Sequence, residues 1–148
     1  MDNFIHKLPI DIVLRIIPYT YNLQNKNLLE DIIHFKETKT KLIELYNEYW
    51  IKFLQSTDPE EGLNWLINDI VAYANNFNAT MYGYKDNFYN IFKRNVFLQS
   101  KEKIDIYINN LHKKKIFTQI NIYLGLLSVK ERKNIIINFP LLNRINWY

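Results

Sequence analysis

The sequence predicts an all-α fold, a single compact helical domain over residues 1–148 with about six to eight helices. Three observations predict it. Apolar residues recur at helical spacing along most of the chain. Helix-opening signals at Asp58, Ser100 and Ser128 stand just ahead of such stretches. Three glycines and four prolines in 148 residues are too few turn residues for a sandwich or barrel.

The first element is the stretch Leu8-Pro9-Ile10-Asp11-Ile12-Val13-Leu14-Arg15-Ile16-Ile17-Pro18-Tyr19. Pro9 suits a first helical turn, where a missing N–H costs nothing, and Pro18 stops the helix after about two turns. Ile12, Val13, Ile16 and Ile17 share one apolar face, with Asp11 and Arg15 opposite. A helix this short is stable only when docked on something, either another protein or the rest of this chain, with the Leu42–Phe53 stripe as the candidate core.

An amphipathic stretch then begins near Leu23 and carries Leu28, Leu29, Ile32, Ile33 and Phe35. The polar, β-branched patch Thr38-Lys39-Thr40 predicts a break. Leu42, Leu45, Tyr46, Tyr49, Trp50 and Phe53 form the next stripe. Asp58-Pro59-Glu60-Glu61 reads as N-cap, N1 proline and a glutamate reaching back from N3. Leu63, Leu66, Ile67, Ile70, Ala74 and Phe77 follow as one stripe, so this helix is expected to end near Asn76.

Phe88, Ile91, Phe92 and Val96 predict a further helix, with both phenylalanines in the core. Ser100 opens one that carries Ile104, Tyr107, Ile108 and Leu111 and closes on His112-Lys113-Lys114-Lys115, cations at the negative end of the dipole. Ile116, Ile120, Tyr123 and Leu127 give another stripe, and Ser128–Glu131 a second capping box. Periodicity leaves residues 134–139 open between helix and short buried strand.

No reaction is written in the sequence. There is no cysteine to serve as nucleophile or thiolate ligand, and His6, His34 and His112 lack metal-binding spacing. His34, on an apolar helix, reads as a partly buried structural residue. The glycines at 62, 83 and 125 are isolated, so no phosphate loop exists. The expectation is a protein that is not an enzyme and needs no cofactor or metal. Absence of a signal-peptide layout and of any apolar run near the ~20 residues that span a bilayer predicts a soluble intracellular protein with no membrane partner.

The net charge of +4 is unevenly spread. Residues 1–54 balance, residues 55–84 carry four carboxylates and no Lys or Arg, and residues 85–148 carry +8. A basic C-terminal half is read either as a solvated helical surface rich in lysine or as a hint of an anionic partner. Lys93, Arg94, Lys113, Lys114 and Lys115 are the candidate anion-binding residues, making phosphate contacts to nucleic acid without base specificity.

The pattern Leu8-Pro9-x-Asp11-Ile12-x-x-x-Ile16-Ile17-x-Tyr19, followed by Leu28-Leu29-x-x-Ile32, is similar to the start of an F-box. The resemblance covers residues 8–50 and leaves residues 58–148 as a helical remainder. The chain departs from the family pattern in a longer connection between Tyr19 and Leu28, and in having no Trp where the family often places one; Trp50 comes too late. The resemblance implies a three-helix module docking on the Skp adaptor of cullin–RING ubiquitin ligases, through Leu8, Pro9, Ile12, Ile16 and Ile17. Usage heavy in Asn, Ile, Lys and Tyr also resembles small proteins of AT-rich large DNA viruses, some of which carry F-box-like segments. That likeness implies a protein acting on host machinery, or a viral structural or accessory component. The expected function is therefore a non-enzymatic protein-interaction protein, with binding of nucleic acid as the alternative.

Overall fold

The computed structural model describes residues 9–12, 14–15 and 25–138. The chain is all-α, with no strand among the described residues. Its contacts divide it into two units, one ending at Ile33 and one beginning at His34.

In the first unit, residues 10–12 and 14–15 are helical. The Ile12 N–H donates to the Pro9 carbonyl at 3.0 Å, so Pro9 opens the helix as its missing donor predicts. The helix α1 (Lys26–Asn47) starts here. Asn25 caps it: its side-chain oxygen accepts from the Asn27 N–H at 2.9 Å and its carbonyl from the Leu29 N–H at 3.1 Å. The unit boundary falls within α1.

No break occurs at Thr38-Lys39-Thr40, contrary to the sequence expectation. Thr38 is buried and its hydroxyl meets Nδ1 of His34, one turn earlier, at 3.2 Å. With its polar group satisfied inside the helix, the β-branched residue no longer competes with it. His34 is half-buried in this structural role.

The second unit continues α1 into a π-wound segment (Glu48–Phe53), then α2 (Glu61–Ala74), a 3-10 turn (Thr80–Tyr82), α3 (Asp86–Phe92), α4 (Lys101–Leu111), α5 (Ile116–Leu126) and α6 (Val129–Asn138). Residues 134–138 are therefore helix, not strand. α2 packs chiefly on α5 and also on the π segment and α3, while α3 packs on α4. The core joins Leu42 and Tyr46 of α1 to Leu66 and Ile70 of α2, Phe88 and Phe92 of α3, Ile104 and Ile108 of α4, Ile120 and Leu124 of α5 and Ile135 of α6. Phe92 sits at its aromatic centre, edge-on to Tyr107 at 6.2 Å and to Tyr123 at 6.0 Å.

Local chemistry explains most element ends. The Ser100 hydroxyl accepts from the Lys103 N–H at 3.3 Å, the cap the sequence predicts. The Ser128 box closes in both directions: its N–H reaches Glu131 at 2.7 Å and its hydroxyl accepts the Glu131 N–H at 3.3 Å. The Asp58 box does not close. Asp58 accepts instead from the Glu60 N–H at 2.9 Å, bending Pro59-Glu60 into a turn, so α2 opens at Glu61. The Glu61 carboxylate takes a hydrogen bond from the Ser56 hydroxyl rather than reaching back to Asp58.

α2 also ends earlier than expected, at Ala74. Asn76 and Phe77 adopt positive φ, 53° and 58°, and the Phe77 N–H returns to the Ala72 carbonyl at 2.7 Å. The turn swings Phe77 out of the core stripe and leaves it 65% exposed. Val96 likewise lies beyond the end of α3 and is exposed, while Leu98 fills the core position.

Buried Asn75 holds this corner. Its amide nitrogen donates to the carbonyls of Asn78 at 2.9 Å and Gly83 at 3.2 Å, and its oxygen accepts from the Lys85 N–H at 2.6 Å. A fully bonded polar side chain inside the fold fixes the whole 75–85 connection.

Candidate partner-binding surface

Of the five residues with a predicted partner role, Leu8, Ile16 and Ile17 lie outside the described residues, whereas Pro9 and Ile12 are described and exposed. Every described aliphatic side chain from Pro9 to Ile33 is exposed: Ile10, Ile12, Leu14, Leu28, Leu29, Ile32 and Ile33, with Ile10 at 72% and Leu14 at 60%. Leu28, Leu29, Ile32 and Ile33 occupy i, i+1, i+4 and i+5 of α1, hence one face of the helix. The Lys26–Glu30 pair, 4.0 Å apart and both exposed, lies in the same first turns. The predicted partner residues do not include exposed Ile10, Leu14, Leu28, Leu29, Ile32 or Ile33. Their periodicity is visible in the sequence, but periodicity alone does not separate a docking face from core.

The basic residues divide between two places. Lys93 and Arg94 follow the last turn of α3. The Arg94 guanidinium donates to the Leu126 carbonyl at 2.8 Å and to both oxygens of Glu131, at 2.5 and 2.8 Å. Hydrogen bonding to Glu131 raises the Arg94 pKa above its ordinary value. Arg94 is thus already engaged with a carboxylate and a helix C-terminus.

Lys113, Lys114 and Lys115 are exposed in the connection between α4 and α5. Gln119 braces that connection, donating to the Lys114 carbonyl at 2.8 Å. Lys115 stands at the start of α5 and Arg94 binds at its end, so an eleven-residue helix, about 16 Å, separates them. The Arg94 guanidinium therefore lies at the opposite end of α5 from Lys115.

The tyrosines near this basic stretch are structural in part. Tyr84 stacks on buried Phe88 at 4.0 Å, and Tyr89 donates to Asp105 at 3.0 Å. Lys101 pairs with Asp86 at 2.9 Å and covers the Tyr89 ring at 4.8 Å, and it is the chief cause of the lowered Asp86 pKa. Phe88 and Phe92 are fully buried, as expected of core residues.

Among the described residues no group of three or more His, Asp and Glu side chains is placed to hold a metal ion. No described helix is long and apolar enough to cross a membrane. Compared with known proteins, the chain matches no family model, no curated protein and no solved structure.

Proposed function

We propose that the chain is a non-enzymatic protein-interaction protein that docks a partner through its N-terminal apolar face. In keeping with its F-box resemblance, the partner is the Skp adaptor of cullin–RING ubiquitin ligases, so that the chain acts on host ubiquitin-ligase machinery. The observation supporting this reading is the exposure of every described aliphatic side chain between Pro9 and Ile33. Each leaves unrealised part of the roughly 1.5–3 kcal/mol that full burial of an Ile or Leu brings, which a bound partner recovers.

Titration calorimetry with purified adaptor–cullin complex tests it, comparing wild type with Ile12→Asp/Leu14→Asp and with Leu8→Ala/Pro9→Ala. Saturable binding by wild type, lost in both variants while the thermal melt is unchanged, is the expected result. No binding by wild type, or undiminished binding by the variants, overturns the proposal.

A second reading, binding of nucleic acid, is favoured by the three consecutive exposed cations Lys113, Lys114 and Lys115. On that reading, affinity for an oligonucleotide falls steeply with salt and the triple Lys→Gln variant loses most of the slope.

A further inference from the structure

The π-wound end of α1 and the opening of α2 make an aromatic corner. Trp50 and Trp65 stack with ring centroids 4.8 Å apart and planes within 2° of parallel. Tyr49 stands edge-on to Trp50 at 5.4 Å and stacks with Phe53 at 5.8 Å. Despite this packing Trp65 is 41% and Phe53 59% exposed. The segment is wound wider than an α-helix, the Leu54 N–H reaching back to Tyr49 at 3.0 Å, a departure that recurs at functional sites. Two side-chain atoms here, Trp50 Nε1 and Asn47 Oδ1, are buried without a hydrogen-bond partner. Unpaired polar atoms and a non-α winding concentrated at one place mark a place shaped for something other than stability.

The charge around the corner is mainly acidic, although the π-wound segment itself carries exposed Lys52 in its last turn, with Glu48 in its first. The connection to α2 starts with the Ser56 N–H bonded to the Trp50 carbonyl at 3.1 Å, then passes through exposed Asp58 and Glu60 to Glu61. Glu61 and Trp65 stand at i and i+4 of α2, on one helix face. No Lys or Arg occurs between Gln55 and Tyr84, although the chain as a whole carries +4. An exposed indole face attracts a cation through its quadrupole, more strongly than any other side-chain ring. Nearby carboxylates add the long-range attraction that the rest of this basic chain opposes.

We propose that this corner binds a cationic peptide segment. An arginine or lysine side chain sits on the exposed part of the Trp65 indole, and Asp58 and Glu60 supply the counter-charge. The proposal is independent of the N-terminal surface. An anionic ligand is repelled here, and a neutral apolar one gains nothing from the carboxylates.

Anisotropy of fluorescein-labelled hexa-arginine titrated with the full chain tests it. A chain of net charge +4 repels a polycation overall, so saturable binding reports a local site. Wild type is expected to bind, with affinity at least tenfold weaker in Trp65→Leu and in Glu60→Lys, and unchanged in Glu102→Lys, an exposed acid on α4. Glu60→Lys lies at an exposed position and keeps the test valid if Trp65→Leu unfolds. No binding by wild type, undiminished affinity in Glu60→Lys, or equal loss in Glu102→Lys overturns the proposal. So does a dimer seen in sedimentation that Trp65→Leu abolishes, which assigns the corner to a second copy.

Discussion

Arg94 and Glu131, 37 residues apart, form a two-pronged ion pair in which Nη1 and Nη2 of the guanidinium donate to the two carboxylate oxygens, at 2.5 and 2.8 Å. The same carboxylate closes the capping box of α6 by accepting from the N–H and hydroxyl of Ser128 at 2.7 and 2.8 Å. Arg94 also donates to Leu126 at the end of α5. Buried Arg132 adds a second cation to that helix end, donating to the carbonyls of Leu127 at 2.7 Å and Leu124 at 3.3 Å. Two guanidinium groups on the last carbonyls of one helix complement its dipole and tie it to the elements on either side.

This arrangement makes stability depend on pH. Hydrogen bonding from Arg94, aided by Ser128 and opposed by burial, lowers the Glu131 pKa from its ordinary 4.5 to about 2. Because the folded value is the lower one, the contribution is complete above 4.5 and is lost as pH falls towards 2. Glu131→Gln is expected to lose roughly 1 kcal/mol at neutral pH, the partial exposure of the pair keeping the figure small. Urea melts across that acid range check it: the variant's stability falls less steeply than wild type's, and parallel slopes refute the assignment.

Asn75→Ala is expected to destabilise by roughly 2 kcal/mol, because its three hydrogen bonds to Asn78, Gly83 and Lys85 have no replacement. The readouts are a melting temperature lower by roughly 4–8 °C and faster amide exchange confined to residues 76–85. An unchanged exchange rate there contradicts the role assigned to Asn75.

Gly62 and Gly125 are expected to respond oppositely to alanine. A Cβ at Gly62 meets the Tyr46 carbonyl oxygen and Asn47 Oδ1 at 3.0 Å, so Gly62→Ala forces backbone apart and costs roughly 1–3 kcal/mol. A Cβ at Gly125 meets nothing within 4 Å, so Gly125→Ala gains up to about 1 kcal/mol of helix propensity. Chemical melts of the two variants decide it; a shift of the same sign in both contradicts this packing.

The sequence by itself determined what short-range chemistry controls. The Ser100 cap and the reciprocal Ser128–Glu131 box involve residues three apart, and each forms as its spacing predicts. The stripes Ile104, Ile108, Leu111 and Ile116, Ile120, Tyr123 are buried because a fixed helical period puts them on one face. Tertiary structure alone decided the rest. Asp58 takes the Glu60 N–H instead of closing a box, a choice between two nearby donors that the same motif allows. Phe77 carries the right period for the core yet leaves it, because a positive-φ turn at Asn76, fixed by Asn75 bonding residues up to ten positions ahead, redirects the chain. Arg94 reads as a free cation until the fold brings Glu131 to it, and the described aliphatics Ile10, Ile12, Leu14, Leu28, Leu29, Ile32 and Ile33 read the same as core although they are exposed. A period names the face of a helix; what covers that face depends on where distant segments come to lie.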